Sequence, residues 1–109
     1  MGYFVLKKGP DGFYSFSLHT DNHESIMDSV NYESKKEAED GIETVRTIGS
    51  FSSRYNQKRT TDNHHYFVLM TANDKVIGTS KYYASVDTLE ADVDIVMHVV
   101  ADAEVKDEC

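Results

Sequence analysis

Histidine and aspartate alternate at one point of the sequence, in the segment His19-Thr20-Asp21-Asn22-His23. Side chains two positions apart point to the same face of an extended strand, so two imidazoles and one carboxylate would face one way. That donor set suits zinc or iron(II). The same residue types are also typical of a polar turn between strands, where the alternation is lost. A metal site at His19, Asp21 and His23 is therefore a hypothesis, and the turn is the preferred interpretation.

The other reactive side chains offer no catalytic arrangement. His64 and His65 are adjacent, so an extended chain would send them to opposite faces and disfavour joint chelation. Cys109, the single cysteine, excludes a disulfide framework and is poorly placed for a positioned nucleophile. The sequence lacks a nucleophile elbow, a phosphate-binding glycine loop and a zinc-protease motif. We assign no catalytic residue, no cofactor-binding residue and no metal ligand.

An internal duplication is the strongest signal in the chain. Residues 13–48 aligned without gaps on residues 64–99 give ten identities in 36 positions, where chance would supply about two. Three pairs of duplicated polar residues could line two symmetry-related grooves. Each pair also stands where a fold rule asks for it, with Asn in a turn, Ser beside unpaired backbone groups and Tyr over the core. We favour the structural interpretation for these pairs, which are Asn22 and Asn73, Ser29 and Ser80, and Tyr32 and Tyr83.

Each repeat predicts three strands followed by one helix. Alternating apolar residues indicate strands, Gly9-Pro10-Asp11-Gly12 indicates a turn, and Ser34 with Glu37 forms a capping box at a helix start. Gly49 suits the helix end, and Ser85 caps the second helix. The predicted strands are 3–7, 14–20 and 25–29 in the first repeat, 54–59, 65–71 and 75–80 in the second, and a final edge strand at 103–107.

Apolar patterning differs between the repeats. The second helix has the longer apolar stripe, with Val86, Leu89, Val93, Val96, Met97 and Val100. The strand 65–71 is apolar on both faces, since Tyr66, Val68 and Met70 alternate with Phe67 and Leu69. If one of these faces is uncovered within the monomer, a partner protein or a homodimer is implied.

The order and spacing of these motifs resemble the YegP-like family of tandem repeats over nearly the whole chain. The resemblance implies β3-α-β units in one antiparallel sheet, with the strand after each helix exchanged between units, so that 54–59 and 104–106 are the exchanged strands. It implies no activity, cofactor or catalytic residue. Asp92 departs from the family's Gly-Ile-x-x-Val motif, so helix packing in the second unit is expected to differ. The residues that carry the resemblance are Phe16-Ser17-Leu18, Tyr32-Glu33-Ser34 and Gly41-Ile42-Glu43-Thr44-Val45, then Tyr66-Phe67-Val68-Leu69, Val76-Ile77-Gly78-Thr79-Ser80 and Tyr82-Tyr83-Ala84-Ser85.

Composition bounds the function. The chain has 109 residues and a net charge of -8, and this acidic balance argues against nucleic-acid binding. Its apolar runs are too short to cross a membrane, and it shows no signal peptide, so we expect a cytoplasmic protein. We also expect a monomer or a weak homodimer.

We predict an α+β fold of two tandem units, residues 1–52 and 53–109, with pseudo-two-fold symmetry and two helices packed on the sheet. The preferred function is a non-enzymatic binding or protein-interaction module, with a small metal- or ligand-dependent enzyme or metal-binding protein that uses the histidines as the alternative.

Overall fold

The computed structural model describes residues 2–20 and 24–109, which form seven strands and two α-helices. Every predicted strand and helix occurs, with its ends within a few residues of those expected. The elements are β1 Tyr3–Lys8, β2 Tyr14–His19, β3 Ser25–Ser29, α1 Lys35–Ile48, β4 Tyr55–Arg59, β5 His65–Met70, β6 Val76–Ser80, α2 Val86–Val99 and β7 Glu104–Asp107, with short 3-10 helices at Ser52–Arg54 and Val100–Asp102.

The strands form one sheet in the order β4-β5-β6-β3-β2-β1-β7. Strands β1 to β3 and strands β4 to β6 are equivalent halves, and each half is followed by its helix. The halves join where β3 pairs antiparallel with β6, with Met27 opposite Ser80 and Ser29 opposite Gly78. The predicted α+β class and tandem duplication are confirmed. The division at residues 52 and 53 stays a prediction.

The sheet is mixed, which corrects the expectation of a wholly antiparallel one. Strand β7 pairs parallel with β1, from Tyr3 opposite Glu104 to Leu6 opposite Asp107. The direction follows from the end of α2, because Val99 lies against Gly2 and the chain therefore enters β7 beside the start of β1. Each strand that follows a helix pairs with the other half of the sheet, since β4 follows α1 and pairs with β5, and β7 follows α2 and pairs with β1. The two strands are not equivalent, because β4 pairs antiparallel and β7 pairs parallel.

The core lies between both helices and one face of the sheet. Aromatic and aliphatic side chains from alternate strand positions are fully buried there. The opposite face carries no helix in the described residues, and we call it the open face. The core side chains include Phe4, Leu6, Phe16, Leu18, Phe67 and Leu69 from the sheet, and Ala38, Ile42, Val45, Leu89, Val96 and Val100 from the helices and the turn after α2.

Both predicted serine caps are present. The Ser34 hydroxyl accepts from the Glu37 backbone N–H at 3.1 Å, and Ser85 accepts from Thr88 at 3.3 Å. Gly49 ends α1 in a right-handed conformation. The position needs glycine for space, because a Cβ there would lie 2.5 Å from the Val45 carbonyl oxygen and 2.8 Å from Val100.

The more apolar helix buries fewer residues. Helix α1 buries Ala38, Gly41, Ile42 and Val45, whereas α2 buries only Leu89 and Val96. Along the predicted apolar stripe of α2, Val93 and Met97 are half-buried. Val86 is 38% exposed and Ile95 is 43% exposed. The second unit therefore leaves apolar helix surface that its own chain does not cover.

Candidate functional site

The structure does not test the proposed metal site as a whole. Asp21 and His23 lie outside the described residues, and so does Asn22. Among the described residues, no group of three or more histidine, cysteine, aspartate or glutamate side chains is arranged to hold a metal ion. His64 lies 3.3 Å from Asp62 and stacks on Tyr82, while the backbone of His65 bridges to Tyr83, so the two neighbours make separate contacts.

Cys109 is exposed. Partial desolvation, together with the neighbouring Asp107 carboxylate, raises the pKa of its thiol. A raised pKa lowers the fraction of the reactive thiolate at neutral pH. The environment of Cys109 therefore favours an unreactive thiol.

The duplicated serines do the same structural work in both units. The Ser29 hydroxyl accepts from the Phe16 backbone N–H at 2.9 Å and donates to the Val30 carbonyl at 2.8 Å. The Ser80 hydroxyl accepts from Phe67 at 2.8 Å and donates to Lys81 at 2.7 Å. Each serine is the last residue of its strand, β3 or β6. Its hydroxyl takes the place of a backbone hydrogen bond of the sheet, as the structural interpretation expects.

The duplicated tyrosines cover the core in both units. Tyr32 stacks on Phe16 at 6.1 Å, and Tyr83 stacks on Phe67 at 6.3 Å. They differ at the helix, because the Tyr32 hydroxyl lies against Gly41 whereas the Tyr83 hydroxyl donates to Asp92 at 2.8 Å. Asp92 occupies the position that corresponds to Gly41 in the duplicated sequence. The expected difference in helix packing is therefore found at this pair.

Three tyrosines are expected to resist ionisation in the folded protein. Burial raises the pKa of Tyr32, Tyr55 and Tyr83 above the ordinary value of 10.0, and the bond to Asp92 adds to the effect at Tyr83. Above pH 10 the unfolded chain loses these protons while the folded chain keeps them, so the free energy of unfolding falls as the pH rises. In an alkaline titration, the phenolate absorbance should therefore correspond to fewer than the seven tyrosines of the chain until the protein unfolds. Full ionisation near pH 10 while circular dichroism still shows a folded chain would contradict this.

A groove of about 460 Å³ lies on the open face of the first unit. We call it the open-face groove. Strands β1, β2 and β3 form its floor, and β7 with the residue after it forms one side. Its lining residues are Tyr3, Val5, Lys7, Ser17, His19, Ser25, Asp28, Lys106 and Glu108.

A hydrogen-bonded pair lies at the centre of this groove. The Ser17 hydroxyl is 2.8 Å from His19 Nε2. Ser17 is only 2% exposed, and the His19 ring stacks on Tyr3 with centroids 5.1 Å apart. The pair results from strand geometry, since residues 17 and 19 share a face of β2. Sequence reasoning missed Ser17, although the alternation of Ser15, Ser17 and His19 on the polar face was the signal that could have found it.

Charges of both signs surround the pair. Lys7 and Lys106 supply two ammonium groups, and Lys106 Nζ lies 4.1 Å from the centre of the Tyr3 ring. Asp28 lies opposite Ser17 in the strand register, and Glu108 adds a second carboxylate to the lining. The groove therefore presents hydrogen-bonding groups, cations and anions over a distance that a small molecule can span.

The second unit does not repeat this groove. The duplication places Val68, Met70 and Thr79 where the first unit has Ser17, His19 and Asp28. Val68 is buried at 5% exposure, and Tyr66 packs on Tyr82 with centroids 5.7 Å apart. The apolar open face of β5 is therefore partly covered by neighbouring side chains, and Tyr66 and Met70 are half-buried. At these described positions the second unit therefore lacks the serine, the histidine and the carboxylate that line the groove of the first unit.

Neither helix in residues 2–20 and 24–109 has the length and apolar character needed to cross a bilayer.

The chain is similar to proteins of unknown function. Residues 10–55 and 60–107 each match the family described as a domain of unknown function, DUF1508. The UPF0339 protein YegP of Yersinia pestis is 41% identical over 85 residues, which cover 78% of this chain and 76% of that protein. A UPF0339 protein of Acinetobacter baylyi is 36% identical over 106 residues, covering 97% of this chain and 96% of its own length.

Solved structures agree with the sequence comparison. The solution NMR structure of yegP from E. coli, a protein of unknown function, superimposes with a TM-score of 0.92 at 36% identity and covers 98% of this chain and 92% of that one. A UPF0339 protein from Shewanella oneidensis gives a TM-score of 0.91 at 32% identity, with 97% and 90% covered. With two matched repeats, the same fold and relatives of similar length, the chain belongs to the DUF1508 family, whose matched relatives are UPF0339 proteins of unknown function.

Proposed function

We propose that the chain is a small binding module whose open-face groove takes a small zwitterionic ligand, of the class that includes amino acids and the ends of peptides. The observation that carries the proposal is the Ser17–His19 pair, held 2.8 Å apart at the floor of a groove lined by lysine and carboxylate side chains. A ligand with both charges satisfies the ammonium and carboxylate groups together. A cytoplasmic setting is part of this proposal.

Binding suits the pair better than catalysis. A serine and histidine within hydrogen-bond distance is the arrangement of a nucleophile and its base. Ser17 is only 2% exposed, however, so its oxygen is badly placed to reach a carbonyl carbon. A buried hydroxyl of this kind fixes the histidine ring at the floor of the groove, beside charged side chains that can contact a ligand.

The test is a titration with glycylglycine, followed by the amide shifts of the isotope-labelled protein. We expect shifts at β1, β2 and β3 around Ser17, His19 and Asp28, and none at β5. Ser17→Val, which installs the residue found at the equivalent position of the second unit, should weaken binding by roughly tenfold because the groove floor loses its hydroxyl and the His19 ring loses that hydrogen bond.

A matched control is Thr79→Ala, which changes the open face outside the groove and should leave the affinity unchanged. Equal affinity in Ser17→Val and the parent chain, or shifts that map outside the groove, would refute the proposal. Hydrolysis of a simple aryl ester that Ser17→Val abolishes would instead establish catalysis by the pair.

A further inference from the structure

The two ends of the sheet are not equivalent. The duplication places β4 where the first unit has β1, with Tyr55 in place of Phe4. The outer edge of β1 is covered by β7, whereas no strand among the described residues pairs with the outer edge of β4. An uncovered strand edge presents unpaired backbone N–H and C=O groups to solvent.

The backbone of β4 is oriented to accept a strand. In the first unit the Leu6 carbonyl points outward and accepts from the Glu108 N–H at 2.8 Å. Gln57 occupies the equivalent position in β4, so its backbone groups point to the uncovered side. The covered strand also buries its residue at this position and the uncovered strand does not, since Leu6 of β1 is 0% exposed and Gln57 of β4 is exposed.

The side chains next to this edge repeat the pattern. In the first unit Val105 of β7 lies beside α1, against Glu39, Ile42, Glu43 and Arg46. The equivalent residues of α2 line an open groove of about 560 Å³ between α2 and β4, which we call the edge groove. Its lining residues are Ser52, Tyr55, Gln57, Asp87, Glu90, Ala91, Val93, Asp94 and Met97.

The geometry points to a strand-acceptor site: the edge of β4 and the edge groove bind an extended segment of a partner protein, parallel to β4 as β7 is to β1. The segment places an apolar side chain in the edge groove, at the position that Val105 takes in the first unit. Lysine or arginine two residues away on either side of it faces the acidic rim. This is β-strand addition, in which backbone bonds give affinity and alternate side chains give specificity.

The expected basic character follows from what α2 lacks. In the first unit Arg46 binds Glu43 at 2.8 Å and donates to the Ala103 carbonyl at 2.6 Å, and Lys35 binds Asp107 at 2.5 Å. In the second unit Met97 and Val86 stand at the positions of Arg46 and Lys35. The acids Asp87, Glu90 and Asp94 therefore have no cation of α2 at these two positions, and a basic strand is complementary to them.

A second copy of this chain is a poorer occupant. Its own β7 is already paired with β1 and brings Asp107 on the helix side, where this carboxylate would face the acidic rim of the edge groove. Pairing of two β4 edges would bring Lys58 and Arg59 of the second copy, but β4 has no aliphatic side chain to place in the edge groove. Neither strand of a second copy combines an aliphatic residue with flanking cations, which favours a different protein as the source of the strand.

The experiment uses the full chain and a short capped peptide, Lys-Thr-Val-Thr-Lys, with Glu-Thr-Val-Thr-Glu as its charge-reversed control. We expect the basic peptide to shift amides of β4 and α2, and the acidic peptide to bind at least tenfold more weakly. The open-face groove lies at the far end of the sheet, so its amides should not move.

Two variants test the two parts of the site. Gln57→Pro removes an outward backbone N–H without touching the bonds between β4 and β5, and it should weaken the basic peptide at least tenfold. Met97→Arg installs the residue found at the equivalent position of α1, neutralises the rim and should also reduce binding tenfold. Asn56→Ala, on the open face of the same strand, is the matched control and should bind like the parent chain.

The proposal is overturned if both peptides bind equally, if neither binds at millimolar concentration, or if the shifts lie outside β4 and α2. Sedimentation that shows a dimer which Gln57→Pro dissociates would assign the edge to a second copy and also overturn it. Met97→Arg keeps the test decisive if Gln57→Pro does not fold.

Discussion

Ser80→Ala is expected to lower the free energy of unfolding by about 1–3 kcal/mol, because it leaves a buried backbone N–H without its acceptor. The Ser80 hydroxyl accepts from the Phe67 N–H at 2.8 Å, in a place where Ser80 is 7% exposed and Phe67 is 0% exposed. Water cannot take over a bond at such a buried site at low cost. Urea denaturation followed by circular dichroism measures the change.

The first unit provides an internal comparison for this result. Ser29 makes the same two bonds but is half-buried, so water can replace its hydroxyl, and Ser29→Ala should cost less than Ser80→Ala. Ser53→Ala on the surface should change little. A loss in Ser80→Ala no larger than that in Ser53→Ala would show that the duplicated serines do not hold the strand ends.

Gly41→Ala is expected to destabilise the protein by roughly 1–2 kcal/mol, although the same change in an exposed helix stabilises by about 1 kcal/mol. A Cβ on Gly41 would lie 2.5 Å from the Tyr32 hydroxyl oxygen, 2.8 Å from its Cζ and 3.1 Å from Phe16. Tyr32 cannot move freely, because its ring stacks on Phe16 and its backbone bridges to Tyr14. The alanine therefore disrupts this packing.

A double-mutant cycle isolates the clash from the helix propensity of alanine. In a Tyr32→Leu background both the hydroxyl and the ring are gone, so Gly41→Ala should become neutral or stabilising. Thermal unfolding of the four chains measures the coupling. If Gly41→Ala stabilises the parent chain, the contact between Tyr32 and α1 is not tight.

The fold could be predicted from the sequence because its local signals agree with one another. Alternation of apolar and polar residues indicates β2, and a continuous apolar run indicates β5. The serine caps indicate α1 and α2, and the register of the duplication places the two units on a common plan. The parallel direction of β7 could not be predicted in this way. It depends on where α2 ends relative to Gly2, which is a contact between distant parts of the chain.

The candidate site was less predictable than the fold. The sequence groups His19 with Asp21 and His23, and that grouping stays a prediction because both lie outside the described residues. The structure adds a hydrogen bond from His19 to Ser17, two residues earlier on the same face of β2. Lys106 and Glu108 come from the other end of the chain, so only the tertiary fold brings them to the groove. The edge groove likewise depends on the sheet order, which covers the outer edge of β1 with β7 and leaves β4 at the other end. No local sequence pattern indicates that order.

The pairing of β1 with β7 has a consequence for how the protein folds. Tyr3 and Glu104 are neighbours in the sheet but lie about 100 positions apart in sequence, and contacts of such long range form slowly. During synthesis the outer edge of β1 stays uncovered until β7, residues 104–107, has left the ribosome. The nascent chain therefore exposes both ends of its sheet at once, and closing the first end is the step at which aggregation competes most directly with folding.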